Sequence, residues 1–402
     1  MIRFLTAGES HGKALTTIVE GFPSNLKIEN DYINFHLKRR QMGYGRGGRM
    51  NIESDTAEIL SGIRFQRTLG SPISLLIRNR DWENWTEKMT PDKKRANVEK
   101  ITVPRPGHAD LVGISKYNFN DIRNSIERSS ARETAARVGA CSIARKLLEE
   151  FGISIGSFVE SIGGIYPKEN YSSNLFNNSL PKNFTGWSLS EQSDKSDVRV
   201  LEKEHEEKIK NKIRLAKKHG DTLGGTFFVI ATGVPTGLGS FIQYDEKLDA
   251  EIAQSIMSIN AVKAVEIGTG FMAAEKFGSE SHDEIILKKN EFSRKSNRAG
   301  GIEGGISTGL PIIVRAAMKP IATLMSPIET VDLKSMKSIL ARRERSDFVA
   351  VPACAVIGES MVAWSLAKFF LQKFGGDSLE ETKDNYKSYV SKLDKRIRKN
   401  FR

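Results

Sequence analysis

Short apolar runs predict strands at Ile73-Ser-Leu-Leu-Ile77, Thr226-Phe-Phe-Val-Ile-Ala231 and Leu310-Pro-Ile-Ile-Val-Arg-Ala316. Longer stretches between and around them predict helices at Asp31–Arg40, Ser130–Phe151, Glu246–Asn260, Val331–Arg343 and Met361–Phe374. The second ends against Gly152, a helix stop, and Ser130 and Glu133 have capping-box spacing, which predicts its start at Ser130. Helices and strands are interspersed without a strict βαβ rhythm, so the class is mixed and no Rossmann-like sheet is expected.

Two segments break the pattern. Lys168–Asp197 is rich in Asn, Ser, Lys and Gly, has little periodicity, and reads as a surface insertion at about 168–197. The tail from Asp377 to Arg402 is charged, with a basic end that reads as a solvated, partly helical face. No internal repeat is legible. At 402 residues, 39% hydrophobic and 27% charged, the chain can bury a large core. No stretch approaches the ~18 continuous apolar residues of a membrane span, so no membrane partner is expected. The opening Met1-Ile-Arg-Phe-Leu-Thr does not read as a signal peptide, and Cys141 and Cys354 lie far apart. A cytoplasmic protein with reduced thiols is the simple reading. The net charge of +12 fits solubility, a nucleic acid, or a small and strongly anionic substrate. The placement of the cations decides between these.

That placement is informative. Phe4 to Leu15 reads FLTAGESHGKAL, one residue short of a P-loop and with Ala14 where a magnesium-binding hydroxyl is needed. A nucleotide-dependent phosphotransferase is therefore disfavoured, and His11 needs another role. His108, in Val103-Pro-Arg-Pro-Gly-His-Ala-Asp110, likewise stands in a glycine-flanked loop beside cations. Such loops favour proton transfer by histidine near neutral pH. His36, His205, His219 and His282 lie in helical, charged or acidic surroundings and read as structural or solvated. Arg39 to Met50, RRQMGYGRGGRM, alternates arginine with glycine, pairing a planar fork for carboxylate or phosphate with backbone that can approach closely. An RNA-binding arm is the alternative, but the motif occurs once, has a single Tyr44, and runs into acidic sequence. Glu127-Arg-Ser-Ser-Ala-Arg-Glu-Thr134 sets Arg128 and Arg132 about the predicted helix start, where an anion is welcome. A third cluster, Asn297 to Gly309, is glycine-rich and is followed by Lys319-Pro-Ile-Ala-Thr323 and Arg345. Gly268-Thr-Gly270 lacks the third glycine of a dinucleotide fingerprint, and no metal-ligand spacing is present. The ligand implied is small and multiply negative.

The segments GESHGKAL, RRQMGYGRGGRMNIESD, RPGHADLVGISKY, RSSARETAARVGA, GDTLGG, GTGFMAAEKFGSESHDE, AGGIEGGISTGLPI, KPIATL and VPACAVIGESMVA, in order from residue 8 to 363, resemble the chorismate synthase family. The resemblance implies an α+β fold, a β-α-β sandwich with long helices between antiparallel sheets. It also implies a single domain and a homotetramer, a dimer of dimers. The implied reaction is an anti-1,4-elimination of phosphate and a ring proton from 5-enolpyruvylshikimate 3-phosphate, giving chorismate. Reduced FMN is required without net redox change, and any NADPH would act only as an indirect reductant. No nucleic acid partner is implied. By the same resemblance Ser10, Arg40, Arg46, Arg49 and Arg132 hold the substrate. His11 protonates the leaving phosphate, His108 serves the reduced flavin, and Asp347 works with the flavin N5 in removing the C6 proton. The flavin contacts fall on Arg128, Ser129, Ser130, Asn260, Ala261, Gly304, Lys319, Pro320, Ile321, Ala322, Thr323 and Arg345. Departures are Ser346, Phe348, Arg298 and the 168–197 insertion, none of which touches a proposed proton-transfer group. The electrostatics agree: the substrate carries roughly −4. One ion pair at about 4 Å is worth only ~4 kcal/mol at a dielectric near 20, so several arginines are needed.

Overall fold

The computed structural model describes residues 1–47, 54–93, 98–169, 171–181, 183–288, 291–343, 347–393 and 400. Its main strands are β1 (Arg3–Ala7), β2 (Ala14–Glu20), β3 (Ala57–Ser61), β4 (Ile73–Arg78), β5 (Ser154–Ile162), β6 (Gly225–Thr232), β7 (Val262–Ile267) and β8 (Ile312–Met318). They form two four-stranded sheets, ordered β1-β2-β4-β3 and β5-β6-β8-β7, and every pairing is antiparallel. The main helices are α1 (Asn30–Gln41), α2 (Asp110–Tyr117), α3 (Ile122–Ser129), α4 (Thr134–Glu149), α5 (Gly186–Ser193), α6 (Lys203–His219), α7 (Leu248–Met257), α8 (Val351–Phe374) and α9 (Leu379–Val390). The class is mixed α+β. Helix α4 packs on β2 and β4, α8 packs on β5 and β6, and the two helices pack on each other.

Burial explains the strand patterns. Leu15, Thr17 and Val19 of β2 and Ile73, Leu75 and Ile77 of β4 point inward, where Gly139 of α4 faces Leu75 and Ile77. Leu5 and Ile18, cross-strand partners on the opposite face, are exposed. The second sheet is covered on both faces, so β6 is continuously apolar rather than alternating. Phe227, Val229 and Ala231 join the main core. Phe228 and Ile230 join a second cluster with Phe158, Ile313, Leu175 and Phe176. The polar composition of 168–197 conceals this role: the helices Tyr171–Phe176 and α5 lay Leu175, Phe176 and Leu189 over the sheet, and Ser190 and Ser193 are fully buried.

Helix α8 is 24 residues long and apolar enough to cross a membrane, yet 94% of its most apolar window is buried inside the protein. Its Gly358 sets the approach to β6: an added Cβ would lie 2.8 Å from Phe227 Cε2 and 3.1 Å from Val229 Cγ2. Gly358→Ala gains up to ~1 kcal/mol of helix propensity. Overpacking against the fully buried Phe227 costs about 1–3 kcal/mol. A lower urea midpoint is therefore expected.

Two local predictions are corrected. The stretch Val331–Arg343 is not a helix but a hairpin of β9 (Glu329–Asp332) and β10 (Lys337–Leu340). The Asp332 carboxylate accepts the N–H groups of Lys334 and Ser335, which stabilises a turn in preference to a helix. Ser130 does cap, but it caps a single 3-10 turn, Ala131–Glu133, ahead of α4. The Glu133 side chain is taken by Thr6 and Arg137, so the capping box does not close.

Candidate active site

The loop between β1 and β2 is held from several sides. Gly8 has φ +107°, and an added Cβ would sit 2.4 Å from the Ala14 carbonyl oxygen. Asn79, just past β4, donates through Nδ2 to the carbonyls of Glu9 (3.1 Å) and Gly12 (2.7 Å). The buried Glu127 in the last turn of α3 accepts the His11 backbone N–H at 2.8 Å and lies 2.9 and 3.0 Å from His11 Nδ1. The Trp85 ring stacks on the imidazole at 3.8 Å with 22° between planes. A carboxylate at Nδ1 makes that nitrogen the N–H donor and leaves Nε2 for the cleft that His11 lines. Ser10 is buried and accepts from the Ser130 hydroxyl at 3.1 Å.

His108 is held in a similar way. Its Nδ1 lies 2.5 Å from Oδ1 of the fully buried Asp110, at the start of α2. Arg105 donates to the same carboxylate from its backbone N–H and Nε, each 2.9 Å from Oδ2, and from Nη2 to Oδ1 at 3.1 Å. Burial would raise the Asp110 pKa, but the bonds from His108 and Arg105 hold it well below the usual carboxylate range. Arg105 also reaches Thr323 Oγ1 at 3.2 Å, joining the His108 loop to the segment after β8.

The cationic part rests on Asp55, which is buried and accepts from two arginines: Arg132 Nη1 at 2.5 Å on Oδ1 and Arg40 Nη2 at 3.2 Å on Oδ2. Arg132 is further fixed by Nε donating to Asn79 Oδ1 at 2.9 Å. One carboxylate between two guanidiniums leaves a surplus positive charge. Burial, with Arg132 and Arg46 nearby, pulls Arg40 down to about 10 against the opposing pull of Asp55, so it stays charged at neutral pH. Arg46 Nε lies 3.2 Å from Asp347 Oδ2, and the Gly47 N–H donates to Asp347 Oδ1 at 2.5 Å.

The remaining wall is the β7 entry and the strand end after β8. Asn260 donates to the Ser129 carbonyl at 2.9 Å, Lys319 N–H donates to the Ala261 carbonyl at 2.9 Å, and Lys319 Nζ donates to the Gly107 carbonyl at 2.6 Å. Ala261 adopts the left-handed φ of +66°, an unfavourable conformation for alanine that the surrounding bonds maintain.

Together these segments line one cleft of about 790 Å³. Of the residues singled out in the sequence, it gathers Ser10, His11, Arg40, Arg46, His108, Ser129, Ser130, Arg132, Asn260, Ala261, Lys319–Thr323 and Asp347. Arg128 is not among them. It donates to the Gly8 and Thr6 carbonyls and braces the His11 loop from outside. Gly304 is not either: it lies in the tight turn joining Ile302–Glu303 to Ile306–Ser307, where its φ of +58° serves the hairpin. Arg49 and Arg345 lie outside the described residues. Glu127, Asp110, Asp55, Asn79, Trp85, Arg105 and Arg123 also line or brace the site, and the sequence gives none of them a role. Only Asp110 and Arg105 could have been found, two and three residues from His108. Glu127 is 116 positions from His11 and Asp55 is 77 from Arg132, so no local signal links them. No group of His, Cys, Asp or Glu among the described residues could hold a metal ion.

The Chorismate synthase family model matches residues 2–371. The chorismate synthases of Aquifex aeolicus and Chloroherpeton thalassium are each 53% identical to the chain, over 97% of it and 98% of the first, and over 98% of it and all of the second. A solved structure described as "Crystal Structure of Chorismate Synthase" superposes with a TM-score of 0.79 at 44% identity, covering 98% of both chains. The chain therefore belongs to the chorismate synthase family, carbon–oxygen lyases of the shikimate pathway that act on phosphates.

Proposed function

We propose that the chain catalyses the anti-1,4-elimination of phosphate and the C6 proton from 5-enolpyruvylshikimate 3-phosphate. The observation that carries this reading is that arginines from α1, the following loop and the turn before α4 meet two carboxylate-held histidines in one cleft. Arg40, Arg46 and Arg132, with Ser10, bind the phosphate and carboxylates of the substrate, and Arg49 belongs to the same set by sequence. His11 presents Nε2 to the leaving phosphate and gives it a proton, which lowers the charge building as the C–O bond breaks. Asp347, oriented by Arg46 and the Gly47 N–H, is the carboxylate on the side of the departing ring proton.

Reduced FMN belongs to the same proposal, and the residues present fit it. Asn260 Oδ1 is buried beside the cleft with no hydrogen-bond partner among the described residues, an acceptor suited to a ring N–H. Lys319 supplies a cation for the phosphate, and Ser129, Ser130 and the 320–323 backbone supply further polar contacts. When bound, reduced flavin supplies transient electron density that eases loss of phosphate and is then returned. His108, held by Asp110, is placed to protonate or hydrogen-bond the reduced flavin, and Arg345 belongs to this set by sequence.

A single domain built as a β-α-β sandwich, a cytoplasmic location and a homotetramer complete the reading. The exposed Phe241, Ile242 and Tyr244 supply apolar surface of the kind assembly covers. The deciding experiment is an anaerobic assay with reduced FMN. Stoichiometric phosphate release with chorismate formation is expected, and no release would reject the proposal. Arg132→Lys tests substrate binding within it. A lysine cannot reach Asp55 and Asn79 together with a planar fork. Losing one charge-assisted bond of ~1.5–3 kcal/mol should raise KM by roughly tenfold to a hundredfold. FMN affinity, read by fluorescence titration, should stay within about threefold.

A further inference from the structure

We infer that Glu127 is a positioning residue that acts through His11, fixing which ring nitrogen carries the proton and where the other one points. The inference rests on the proposed role of His11 as the acid. Glu127 is 2% exposed, and its carboxylate is directed at the His11 loop. Oε2 accepts the His11 backbone N–H at 2.8 Å, and both oxygens lie within 3.0 Å of Nδ1. Arg123, one turn earlier on α3, is 3.7 Å from Oε1 and lies over the Trp85 ring at 5.0 Å.

Each degree of freedom of the imidazole is thereby fixed by a different contact. The backbone bond sets the loop, the Nδ1 bond sets rotation within the ring plane, and the Trp85 stack at 3.8 Å sets the plane itself. Nδ1–H pointing into a carboxylate makes Nε2 the nitrogen that exchanges a proton in the cleft. A carboxylate can also stay opposite an imidazole that holds both protons, which an amide cannot do equally well. In Glu127→Gln the amide oxygen can keep the backbone N–H. Its NH₂ then faces Nδ1 and favours the tautomer with hydrogen on Nε2 and none on Nδ1. This is the same logic by which a triad carboxylate sets the tautomer of its histidine.

The carboxylate also staples the loop through the His11 backbone N–H, so a purely structural role has to be separated from a positioning one. A double-mutant cycle does this. Phosphate release is measured anaerobically with reduced FMN for wild type, His11→Ala, Glu127→Gln, Glu127→Asp and the His11→Ala/Glu127→Gln pair. Glu127→Gln should lower kcat by about 100-fold, with KM and FMN affinity within about threefold. Glu127→Asp, which keeps the carboxylate, should recover about tenfold of that loss. In the His11→Ala background Glu127→Gln should change kcat less than about twofold, because there is no ring left to position. Independent, multiplicative losses in the pair, or a Glu127→Gln defect confined to KM, would overturn the inference while leaving the acid role of His11 intact. Full activity of His11→Ala would remove the acid role itself. If Glu127→Gln does not fold, the same cycle run with Glu127→Asp decides by the same criterion.

Discussion

Replacing His11 with alanine is expected to lower kcat by about 10²–10⁴-fold, the range general acid catalysis supplies. KM should hardly move. The groups proposed to grip the substrate, Arg40, Arg46 and Arg132, are tied to Asp55, Asn79 and Asp347 rather than to His11. The loop should keep its course, because Asn79 holds the Glu9 and Gly12 carbonyls and Glu127 holds the residue-11 backbone N–H. Truncation would leave a slot between Trp85 and the Glu127 carboxylate. Added imidazole can occupy that slot, so partial, saturable rescue of kcat is expected. Single-turnover phosphate release under anaerobic conditions, with and without imidazole, is the measurement. Undiminished kcat would exclude His11 as the acid. A large rise in KM with kcat unchanged would mark it as a binding group instead.

The sequence revealed the parts of this site better than their supports. His11, His108 and the arginines of the 39–50 segment stand out because glycine and charge are concentrated around them. The carboxylates that hold them do not stand out. Asp55 and Glu127 are ordinary acidic residues in a chain with 49 of them, and only the fold brings them to their partners. The strands and helices follow the same division. The runs at Ile73–Ile77 and Thr226–Ala231 were legible because burial needs continuous or alternating apolar residues. Strand β2 is not legible in the sequence because its ALTTIVE run mixes threonines with only three aliphatic residues past Ala14. Helix α6 buries His205, Ile209, Ile213 and Ala216 on a single stripe, which its many lysines and glutamates hide from a reading by composition. The segment 168–197 was opaque for a related reason. Its Ser190 and Asp194 are not solvating a loop; they reach an ion cluster in the protein interior, whose far partner is on α8.

That cluster carries the largest expected effect on stability. Glu359 of α8 is fully buried, and its oxygens accept from Arg39 at 2.7 and 2.9 Å, Arg145 at 2.5 Å and Arg199 at 3.1 Å. The hydroxyls of Ser157 and Ser190 add bonds of 2.6 and 2.7 Å, and Asp194 pairs with Arg39 and Arg199. Glu359 therefore ties α1, α4, β5 and α5 to α8. Glu359→Gln keeps the shape and removes the charge, leaving three buried guanidiniums with Asp194 as their remaining carboxylate in the cluster. Breaking a buried ion pair in this way costs about 3–5 kcal/mol, more than the pair's net worth, because the abandoned charges stay out of water. Urea unfolding at neutral pH should show that loss. Acid should narrow it. Burial alone would raise the Glu359 pKa, but Arg39, Arg145 and Arg199 outweigh burial and hold it well below the usual carboxylate range. A carboxyl depressed in the folded state contributes fully above its unfolded pKa of about 4.3 and loses that contribution as pH falls toward the folded value. Wild type and Glu359→Gln should therefore differ most near pH 7 and converge progressively below about pH 4. A difference that stayed constant across that range would show that the loss comes from packing or hydrogen-bond geometry and not from the charge.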